Sequence, residues 1–552
     1  MRNEEFDYVI VGGASAGCVL ASRLSEDPAV RVLLLEAGGW DWHPMLSIPM
    51  GVGKLRQGRM YDWGYQSVPQ PGLDGRSVEL MRGKVLGGSS SVNFMAHNRG
   101  NRSDYARWAG RLGVPEWSYD ALLPYFKRSE SWQGGQAPNR GTDGPVGVGW
   151  TCRDDPIAQA VLDAARAAGH PVFDDLNADE PNGFGFAQSA IHRGRRASAS
   201  RSYLRPSLSR SNLTLRLRSL ATRIAVENTT ATGLEYEWRG QRHVARATRE
   251  VIVASGAINS PQLLMLSGIG DADALARLGL RSVAHLPGVG TNLQDHLVVG
   301  LTYVRAGDES DFHRTLRMDR LLPALLGAYF AGKGPATVLP AGVNSILRSR
   351  PELDAPDLQI MFGSAAFEAK PWLPGWNEWK DVFGLRPMVS HPESRGTVSL
   401  ASANPRDKPR IDPRFLSHPE DIRTLRDGLR IVREIALQRP LDGFRGRELA
   451  PGSECTSDGD LDAYIRKTAT TVQHASCTCR MGRDEMAVVD PDLRVRGIDR
   501  LRVVDASVMP EILSCNIHAA VLAIAERASD LIRGRIADAA PERQGAAVAL
   551  AA

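Results

Sequence analysis

The chain has 552 residues, 43% of them hydrophobic, which excludes a disordered protein and gives enough apolar material for two or more cores. Its 67 lysines and arginines are scattered among 63 acidic residues, so the formal charge is only +4. Because no basic patch stands out, nucleic acid is not an expected partner.

The first residues and the longest apolar stretch bear on whether the chain has a targeting or membrane-spanning segment. The opening MRNEEFDYVIVGG lacks the basic start and long apolar core of a signal peptide, and we expect a cytoplasmic protein. The segment LLPALLGAYFAG at 321–332 is interrupted by Pro323 and is shorter than the roughly 20 residues that span a bilayer. It predicts a buried or interfacial helix and no membrane-spanning segment.

Six cysteines are too few for a disulfide scaffold in a chain of this length. Cys477 and Cys479 are separated by one residue, but no second ligand pair follows at a zinc-like interval. We therefore predict no metal site.

The first motif predicts a dinucleotide site at the amino terminus. The apolar run DYVIV at 7–11 predicts a strand, the glycine-rich 12–17 a tight turn, and CVLASRLSE at 18–26 a helix. Ala14 stands where the usual G-x-G-x-x-G pattern has its middle glycine. A second strand ends on Glu36, at a suitable distance for a carboxylate that accepts hydrogen bonds from an adenosine ribose. FAD and NAD are equally compatible with these residues.

Two further motifs carry a family resemblance. Residues 83–93, GKVLGGSSSVN, and residues 256–270, GAINSPQLLMLSGIG, resemble the two signatures of the glucose-methanol-choline (GMC) flavoenzymes. The resemblance continues through LPGVGTNLQDH at 286–296 and VVDASVMP at 503–510, and so covers residues from about 5 to about 535. It is closest to the alcohol, sorbose and choline dehydrogenase branch.

The resemblance implies that the cofactor is FAD. It implies that Gly12, Ser15, Ala16 and Glu36 bind the ADP half of the cofactor. It places Gly88, Asn93 and Met95 beside the isoalloxazine ring, and Asp505 and Ala506 near the ribityl chain. Gly83 and Ala221 are the other two cofactor-binding residues that it implies. Relatives that bond flavin covalently have a histidine where this chain has Val92, so we expect dissociable FAD.

The resemblance also implies a pair of catalytic histidines. His474 in QHASCTCRMG and His518 in SCNIHA match the two family positions that face the reactive edge of the flavin. Imidazole, with an ordinary pKa near 6.5, suits removal of a hydroxyl proton while a hydride leaves the same carbinol. We assign the base to His474 and a hydrogen bond to the alcohol oxygen to His518, although many relatives have Asn there and the roles are interchangeable at this stage. His97 either touches the flavin edge or fills space.

These motifs predict an α/β protein: a Rossmann-like FAD-binding domain, discontinuous in sequence, with an α+β substrate-binding cap that contains an antiparallel sheet. The segment 211–253 predicts short strands with turns at 228–229 and 239–240. The predicted divisions are 1–305, mainly FAD-binding with cap insertions at about 45–80 and 150–210; 306–465, mainly substrate-binding; 466–535, a return to the FAD-binding domain; and 536–552, a disordered tail.

The predicted function is oxidation of a primary alcohol to an aldehyde by hydride transfer to flavin N5. The electron acceptor is a quinone, a dye-like carrier or oxygen, and the stretch 474–497 resembles the dehydrogenases more than the sugar oxidases. Some relatives are hydroxynitrile lyases or photodecarboxylases, and the nucleotide motifs do not exclude these. The exact alcohol and the oligomeric state stay open. Six residues either wall an apolar substrate pocket or belong to the core: Phe94, Phe312, Leu339, Met361, Phe362 and Trp372.

Overall fold

A computed structural model describes residues 3–111, 113–177, 181–365 and 369–536. Nearly all of the segment predicted to be a disordered tail, 536–552, therefore lies outside the described residues.

The helices vary from single turns to five turns. In chain order they are α1 Ser15–Leu24, α2 Pro44–Ser47, α3 Val52–Gln57, α4 Arg102–Arg111, α5 Tyr119–Ser129, α6 Pro156–Ala167, α7 Arg205–Ser207, α8 Gly256–Leu266, α9 Ala272–Arg277, α10 Asp311–Leu316, α11 Met318–Leu326, α12 Pro419–Ala436, α13 Asp458–Thr468 and α14 His518–Ile532.

The strands are mostly short, with the longest in the first half of the chain. In chain order they are β1 Asn3–Val11, β2 Val32–Glu36, β3 Tyr65–Gln66, β4 Glu79–Leu80, β5 Glu130–Trp132, β6 Val146–Trp150, β7 Gly183–Phe186, β8 Gln188–Ser189, β9 Ile191–His192, β10 Arg195–Arg196, β11 Leu213–Leu217, β12 Ser219–Glu227, β13 Thr230–Trp238, β14 Gln241–Val253, β15 Ile269–Gly270, β16 Ala284–His285, β17 Leu297–Val298, β18 Leu301–Arg305, β19 Val343–Ile346, β20 Leu358–Gly363, β21 Val382–Val389, β22 Thr397–Ser399, β23 Arg410–Asp412, β24 Arg445–Ala450, β25 Thr470–Thr471 and β26 Leu501–Val503.

The first large sheet joins the two ends of the chain to its middle. Its order is β11-β2-β1-β14-β13-β12, with β26 beside β14. The strands β11, β2, β1, β14 and β26 are parallel, as expected for apolar runs such as VLLLE that are buried on both faces. Because β1, β14 and β26 are neighbours in space but far apart in sequence, the predicted discontinuous Rossmann-like sheet is confirmed.

Two hairpins extend this sheet through β12, β13 and β14. Their turns are Asn228-Thr229 and Arg239-Gly240, and all four residues have positive φ. Such turns match the twist of the paired strands. The predicted turn positions are confirmed, but the strands are longer than expected, with nine residues in β12 and β13 and 13 in β14.

The second large sheet is antiparallel and forms the cap. Its order is β24-β18-β21-β20-β19-β7, with β17 and β25 at one side. Along β20, Leu358, Ile360 and Phe362 pack into a core shared with α6 and α12. Since side chains alternate along a strand, Gln359 and Met361 face away from these helices. The predicted antiparallel sheet in the cap is confirmed.

The apolar segment predicted to be a buried or interfacial helix is only half buried. The helix α11 ends at Leu326, and a π-helical turn continues over residues 327–331. Ala324 and Ala328 pack into a small core, whereas Leu322 is 62% exposed and Phe330 is 73% exposed. Among the described residues, no helix combines the length and the apolar character needed to cross a membrane.

The buried carboxylate of Glu526 connects α14, which begins at His518, to other segments of the chain. Glu526 has a fully buried side chain that accepts hydrogen bonds from Arg23 and Tyr203 at 2.8 Å and forms an ion pair with Arg128 at 2.7 Å. These three partners come from α1, α5 and the segment before α7, so one side chain connects distant parts of the chain.

We expect Glu526→Ala to destabilise the protein by about 3 kcal/mol, because it removes the buried carboxylate that two partly buried guanidiniums and the buried hydroxyl of Tyr203 share. Asp442→Ala serves as the control, since Asp442 is 57% exposed and its ion pair is with Arg445, three residues away; its loss should cost less than about 1 kcal/mol. Urea unfolding followed by tryptophan fluorescence measures both, and equal effects for the two variants would contradict the assignment.

Candidate active site

The glycine-rich turn between β1 and α1 is shaped so that only glycine fits at two positions. Gly12 has φ +101°, and a Cβ there would lie 2.6 Å from the carbonyl oxygen of Ala254. A Cβ on Gly17 would lie 1.9 Å from the oxygen of Gly12. The helix then begins at Ser15 without a side-chain cap from Ala14, which leaves its amino-terminal N–H groups for an anion.

Glu36 closes the same turn from the end of β2. Its carboxylate accepts hydrogen bonds from the backbone N–H of Gly13 at 3.0 Å and of Gly38 at 2.6 Å. Burial raises the pKa of Glu36 to about 7, and the two N–H donors only partly oppose this rise. The carboxylate is thus held at the turn where a ribose would need it.

The second motif packs directly on the first. Gly87 donates its N–H to the oxygen of Gly13 at 2.7 Å, and a Cβ on Gly88 would lie 2.6 Å from the Cβ of Ala14. A Cβ on Gly83 would lie 2.4 Å from the oxygen of Gly88. Ala14 can therefore replace the usual glycine because Gly88 has no side chain at the contact.

Asp505 joins the carboxyl-terminal motif to the second family signature. It accepts hydrogen bonds from the N–H of Gly256 at 2.8 Å, the hydroxyl of Ser260 at 2.5 Å and the N–H of Ser507 at 2.8 Å. Ala506 accepts the N–H of Cys477 at 3.1 Å. These bonds hold Asp505 in place, whereas the buried hydroxyl of Ser507 has no partner among the described residues.

A buried arginine fixes the loop that contains Asn93 and Met95. Arg196 donates to the backbone oxygen of Asn93 at 2.6 Å and to its side-chain oxygen at 2.8 Å. The same side-chain oxygen accepts the N–H of Met95 at 3.0 Å, where φ is +60°. Burial lowers the pKa of Arg196 to about 9.

The remaining predicted residues lie close to the turn. Ala16 is buried and Ser15 half-buried at the start of α1. Ala221 lies in β12 opposite Tyr236, just before a bulge. Arg218, three residues earlier, donates its N–H to the oxygen of Gly38 at 2.9 Å, so this segment runs beside the end of β2.

His474 is held by a second histidine that the sequence analysis did not single out. Nδ1 of His474 lies 2.8 Å from Nδ1 of His296, and the two rings are perpendicular. The N–H of His474 donates to Asp295 at 2.7 Å, which fixes the backbone of the residue. His474 lies deep in the protein yet keeps part of its ring surface accessible.

The hydrogen bonds of His296 determine the tautomer of His474. Nε2 of His296 lies 2.9 Å from the carbonyl oxygens of Ser390 and of Leu513. Carbonyl oxygens only accept, so Nε2 of His296 carries its hydrogen and Nδ1 is an acceptor. His474 must then carry its hydrogen on Nδ1, which leaves a lone pair on Nε2.

Burial keeps this pair neutral. It lowers the pKa of His296 to about 3 and holds the pKa of His474 well below 6.5. The neighbouring His296 and Arg82 lower the pKa of His474 further. The free Nε2 lone pair of His474 is therefore available at neutral pH.

Asn516 connects this lone pair to a second polar chain. Its Nδ2 lies 3.2 Å from Nε2 of His474, and its Oδ1 accepts from Asn98 at 2.7 Å. His518 follows two residues later, at the start of α14. Both of its ring nitrogens are buried and have no partner among the described residues, and burial lowers its pKa to about 3.

His97 faces a buried ion cluster. Its Nε2 lies 3.4 Å from Glu130, which also bonds Arg99 and Arg140. Nδ1 of His97 is buried without a partner among the described residues. Electrostatic repulsion from His97 and Arg196 lowers the pKa of His518 further than burial alone.

The six aromatic and apolar residues considered for a pocket lie in different parts of the structure. Phe362 belongs to the cap core, and Phe312 and Trp372 pack beneath α11. Leu339 packs against Met95 and Val52, and Met361 lies on the opposite face of β20 from Phe362. Phe94 is 39% exposed.

Sequence analysis missed several residues of the site: Asn98, Glu130, Arg196, Asp295, His296 and Asn516. His296 ends the quoted segment LPGVGTNLQDH and Asn516 lies inside SCNIHA, so both stood within recognised motifs. Their partners come from other parts of the chain, and no local pattern indicates them. Within the described ranges, no three His, Cys, Asp or Glu side chains form a metal-ligand cluster.

The residues present fit FAD. The crowded glycines leave room for a pyrophosphate at the uncapped start of α1, and Glu36 stands beside it. In the carboxyl-terminal motifs, the hydroxyl of Ser507 and the ring nitrogens of His518 are buried and have no partner within the described part of the chain. FAD, with a dinucleotide half for the turn and a ring half beyond it, would supply partners for these groups.

Comparison with known proteins agrees with this geometry. The sequence profiles of GMC oxidoreductase match residues 6–298 and 392–525. The chain is 43% identical to the mitochondrial choline dehydrogenase of Homo sapiens, covering 96% of this chain and 90% of that one. It is 41% identical to the oxygen-dependent choline dehydrogenase of Staphylococcus xylosus, with 96% and 95% covered.

Solved structures share the whole fold. Pyridoxine 4-oxidase from Mesorbium loti superposes with a TM-score of 0.85 at 33% identity, covering 96% of this chain and 99% of that one. A variant of the formate oxidase of Aspergillus oryzae RIB40, described for its FAD modification, gives a TM-score of 0.90 at 26% identity, with 97% and 99% covered. The chain therefore belongs to the GMC oxidoreductase family and is an FAD-dependent oxidoreductase that acts on CH–OH donors.

Proposed function

We propose that the enzyme oxidises a primary alcohol to an aldehyde, with His474 as the base that takes the hydroxyl proton. The lone pair on Nε2 of His474 carries this proposal, because His296 and two backbone carbonyls keep it unprotonated. Bound FAD supplies the hydride acceptor, so the alcohol loses one proton to His474 and one hydride to the cofactor.

The amide of Asn516 donates to the lone pair on Nε2 of His474. The hydroxyl of an alcohol replaces this amide as the donor, and the proton then transfers along the new hydrogen bond. A base whose pKa is low is a weaker base but is fully unprotonated at neutral pH. The lowered pKa of His474 therefore makes it a weaker base but keeps its Nε2 unprotonated at neutral pH.

His518 supports the oxygen as the proton leaves. Its ring is neutral and has one N–H donor, and no described side chain competes for that donor. A donor that is already in place and shielded from water stabilises developing alkoxide charge without reorganisation.

For the cofactor, we assign the pyrophosphate to the start of α1 at Ser15 and Ala16, and the ribose hydroxyls to Glu36. Gly83, Gly88, Asn93 and Met95 lie on the ring side, with Ala506 toward the ribityl chain and Ala221 toward the nucleotide. Val92 has no group that bonds covalently to a flavin, which supports reversible binding. We also propose that electrons pass to a quinone or dye-like carrier in preference to oxygen.

We expect His474→Gln to slow anaerobic flavin reduction by an alcohol by about 100-fold or more, because the base is lost. FAD content should stay unchanged. Stopped-flow absorbance with a panel of primary alcohols measures the rate, and readmission of oxygen then separates an oxidase from a dehydrogenase. His192→Gln, at an exposed histidine, is the matched control; the same loss in both variants would argue against a base at His474.

The same measurement has an expected pH profile. Because burial lowers the pKa of His474, the rate should rise with pH and reach its plateau below the ordinary imidazole value of 6.5. A limb centred above 6.5 would show that another group is the base.

We expect His296→Leu to lower kcat by roughly tenfold to 100-fold with little change in KM, because His296 orients the base without contacting the substrate. His296→Gln keeps a donor and an acceptor and should recover part of the rate. If the two variants behave alike, His296 contributes only packing. The pH limb should move in His296→Leu, which a merely structural role would not cause.

We expect the affinity for FAD to fall as pH drops below about 7, by up to about tenfold per pH unit. The physical reason is that the ionised form of Glu36 accepts ribose hydrogen bonds, while its pKa is raised to about 7 before FAD binds. Fluorescence titration of the deflavinated protein at several pH values measures this. Glu36→Gln should bind FAD more weakly and without that pH dependence.

A further inference from the structure

The helix α11 and the π-helical turn that follows it are apolar on two sides but buried on only one. Ala324 and Ala328 pack inward, into the small core beneath the helix. The opposite side is exposed and has an apolar residue about once per turn: Met318, Leu322, Leu326, Tyr329 and Phe330. A helix that is apolar all round is normally covered on every side. The outer side of α11 therefore has the composition of a contact surface.

A tryptophan loop extends this surface at the start of α11. The N–H of Met318 donates to the carbonyl oxygen of Trp372 at 3.0 Å, and Leu373 and Trp376 then form a tight turn. Trp376 is 55% exposed. Tryptophan is enriched where proteins meet the headgroup level of a bilayer. We call the combined surface the α11 patch: Met318, Leu322, Leu326, Tyr329, Phe330 and Trp376.

An arginine-rich hairpin, β9 and β10, lies against the other end of the patch. Arg195 donates to the carbonyl oxygens of Tyr329 at 2.8 Å and of Phe330 at 3.0 Å. A Cβ on Gly332 would lie 2.4 Å from the oxygen of Arg193, so the turn of the hairpin touches the chain just after the π-helical turn. The hairpin thus brings two guanidinium groups to the edge of the patch.

The charge at this end of the patch is positive. Lys333 follows the π-helical turn and is exposed, as is Arg193. The two stretches that meet here contain no aspartate or glutamate, from 181 to 226 and from 320 to 351. Asp319 and Glu378 lie at the other end of α11, where Asp319 pairs with Arg317. The apolar surface is therefore bordered by cations that the acidic residues of their own segments do not neutralise.

An anionic bilayer surface matches both features. Apolar and aromatic side chains enter the boundary between headgroups and acyl chains, while arginine and lysine contact anionic phosphates. A second copy of the chain, facing the patch across a twofold axis, would bring the same excess of positive charge. The charge therefore favours a lipid surface over self-association.

The patch is joined to the loop assigned to the ring side of the cofactor. Ala336 packs in the same small core as α11, and Leu339, three residues later, packs against Met95. The hairpin makes a second connection, because Arg195 holds the π-helical turn while the adjacent Arg196 holds the loop before Met95. A bilayer at the patch would lie beside the segments that support this loop.

We propose that the α11 patch docks the enzyme peripherally on a bilayer that contains anionic lipids. The apolar side chains lie in the interface, and Arg193, Arg195 and Lys333 contact the phosphates. The helix rests on the bilayer without crossing it. This inference goes beyond the proposed reaction and does not depend on the base or the alcohol, although it fits a lipid-soluble quinone as the electron acceptor.

The first test is co-sedimentation of the FAD-loaded enzyme with phosphatidylcholine vesicles, with or without roughly 30% phosphatidylglycerol. We expect binding to the anionic vesicles to be at least about tenfold tighter than to the neutral ones. It should weaken as salt rises from about 0.05 M to about 0.5 M. No binding to either vesicle, or equal binding to both, would overturn the proposal.

Substitution of the apolar residues provides the second arm. Leu322→Ser combined with Phe330→Ser should weaken binding to the anionic vesicles by about tenfold or more, because less apolar surface enters the interface. Leu437→Ser combined with Met486→Ser makes a similar change at exposed apolar residues outside the patch and should leave binding intact. FAD content should be unchanged in both proteins, and an equal loss of binding in both would contradict docking at the patch.

Substitution of the cations provides the third arm. Arg193→Gln combined with Lys333→Gln should remove most of the preference for anionic vesicles. Arg242→Gln combined with Lys467→Gln removes the same charge at exposed positions elsewhere and should preserve the preference. The same result in both pairs would reduce the effect to net charge and overturn the docking surface.

Sedimentation velocity without vesicles tests the competing occupant. A dimer that the Leu322 and Phe330 substitutions dissociate, in an enzyme that does not bind vesicles, would assign the patch to a second copy and overturn the proposal. Vesicle binding that these substitutions abolish would support it, whichever alcohol reduces the flavin.

Discussion

The hydrogen bonds of His296 are the interaction on which the site depends. One neutral ring donates to the carbonyl of Ser390, just after cap strand β21, and to that of Leu513, just before α14, while it accepts from His474. Because backbone carbonyls cannot donate, the backbone decides where each imidazole hydrogen sits. The relative placement of the two large sheets therefore controls the protonation pattern of the base.

Burial gives the site its second property, which is electrical neutrality at the imidazoles. The pKa values of His97, His296, His474 and His518 are all lowered, and desolvation is the main cause in each. The charged groups nearby form ion pairs, as in the cluster around Glu130, or donate hydrogen bonds to backbone carbonyl oxygens, as Arg196 does. A proton can be accepted here without first displacing a counter-ion.

Local patterns explain how much of this could be predicted from the sequence. The β1 turn, α1 and Glu36 were predictable because strand, glycine turn and helix follow each other within 36 residues. The hairpin turns were predictable for the same reason. The partner of His474 could not be predicted, since His296 lies 178 residues away and no local pattern links the two histidines. The exposure of apolar side chains on α11 could not be predicted either, because the periodicity of a sequence shows an apolar face but not what covers that face.

The buried polar residues differ in whether the protein itself satisfies their hydrogen bonds. The oxygens of Asp505 and Glu526 are engaged by other parts of the chain, so both side chains hold segments together. Ser507 and His518 are buried with polar atoms that no described residue engages. Since an unpaired buried polar group costs stability, its retention requires a compensating partner. Ser507 and His518 both lie within the carboxyl-terminal motifs that resemble the family, and a cofactor and an alcohol bound there would supply the partners that these two groups lack.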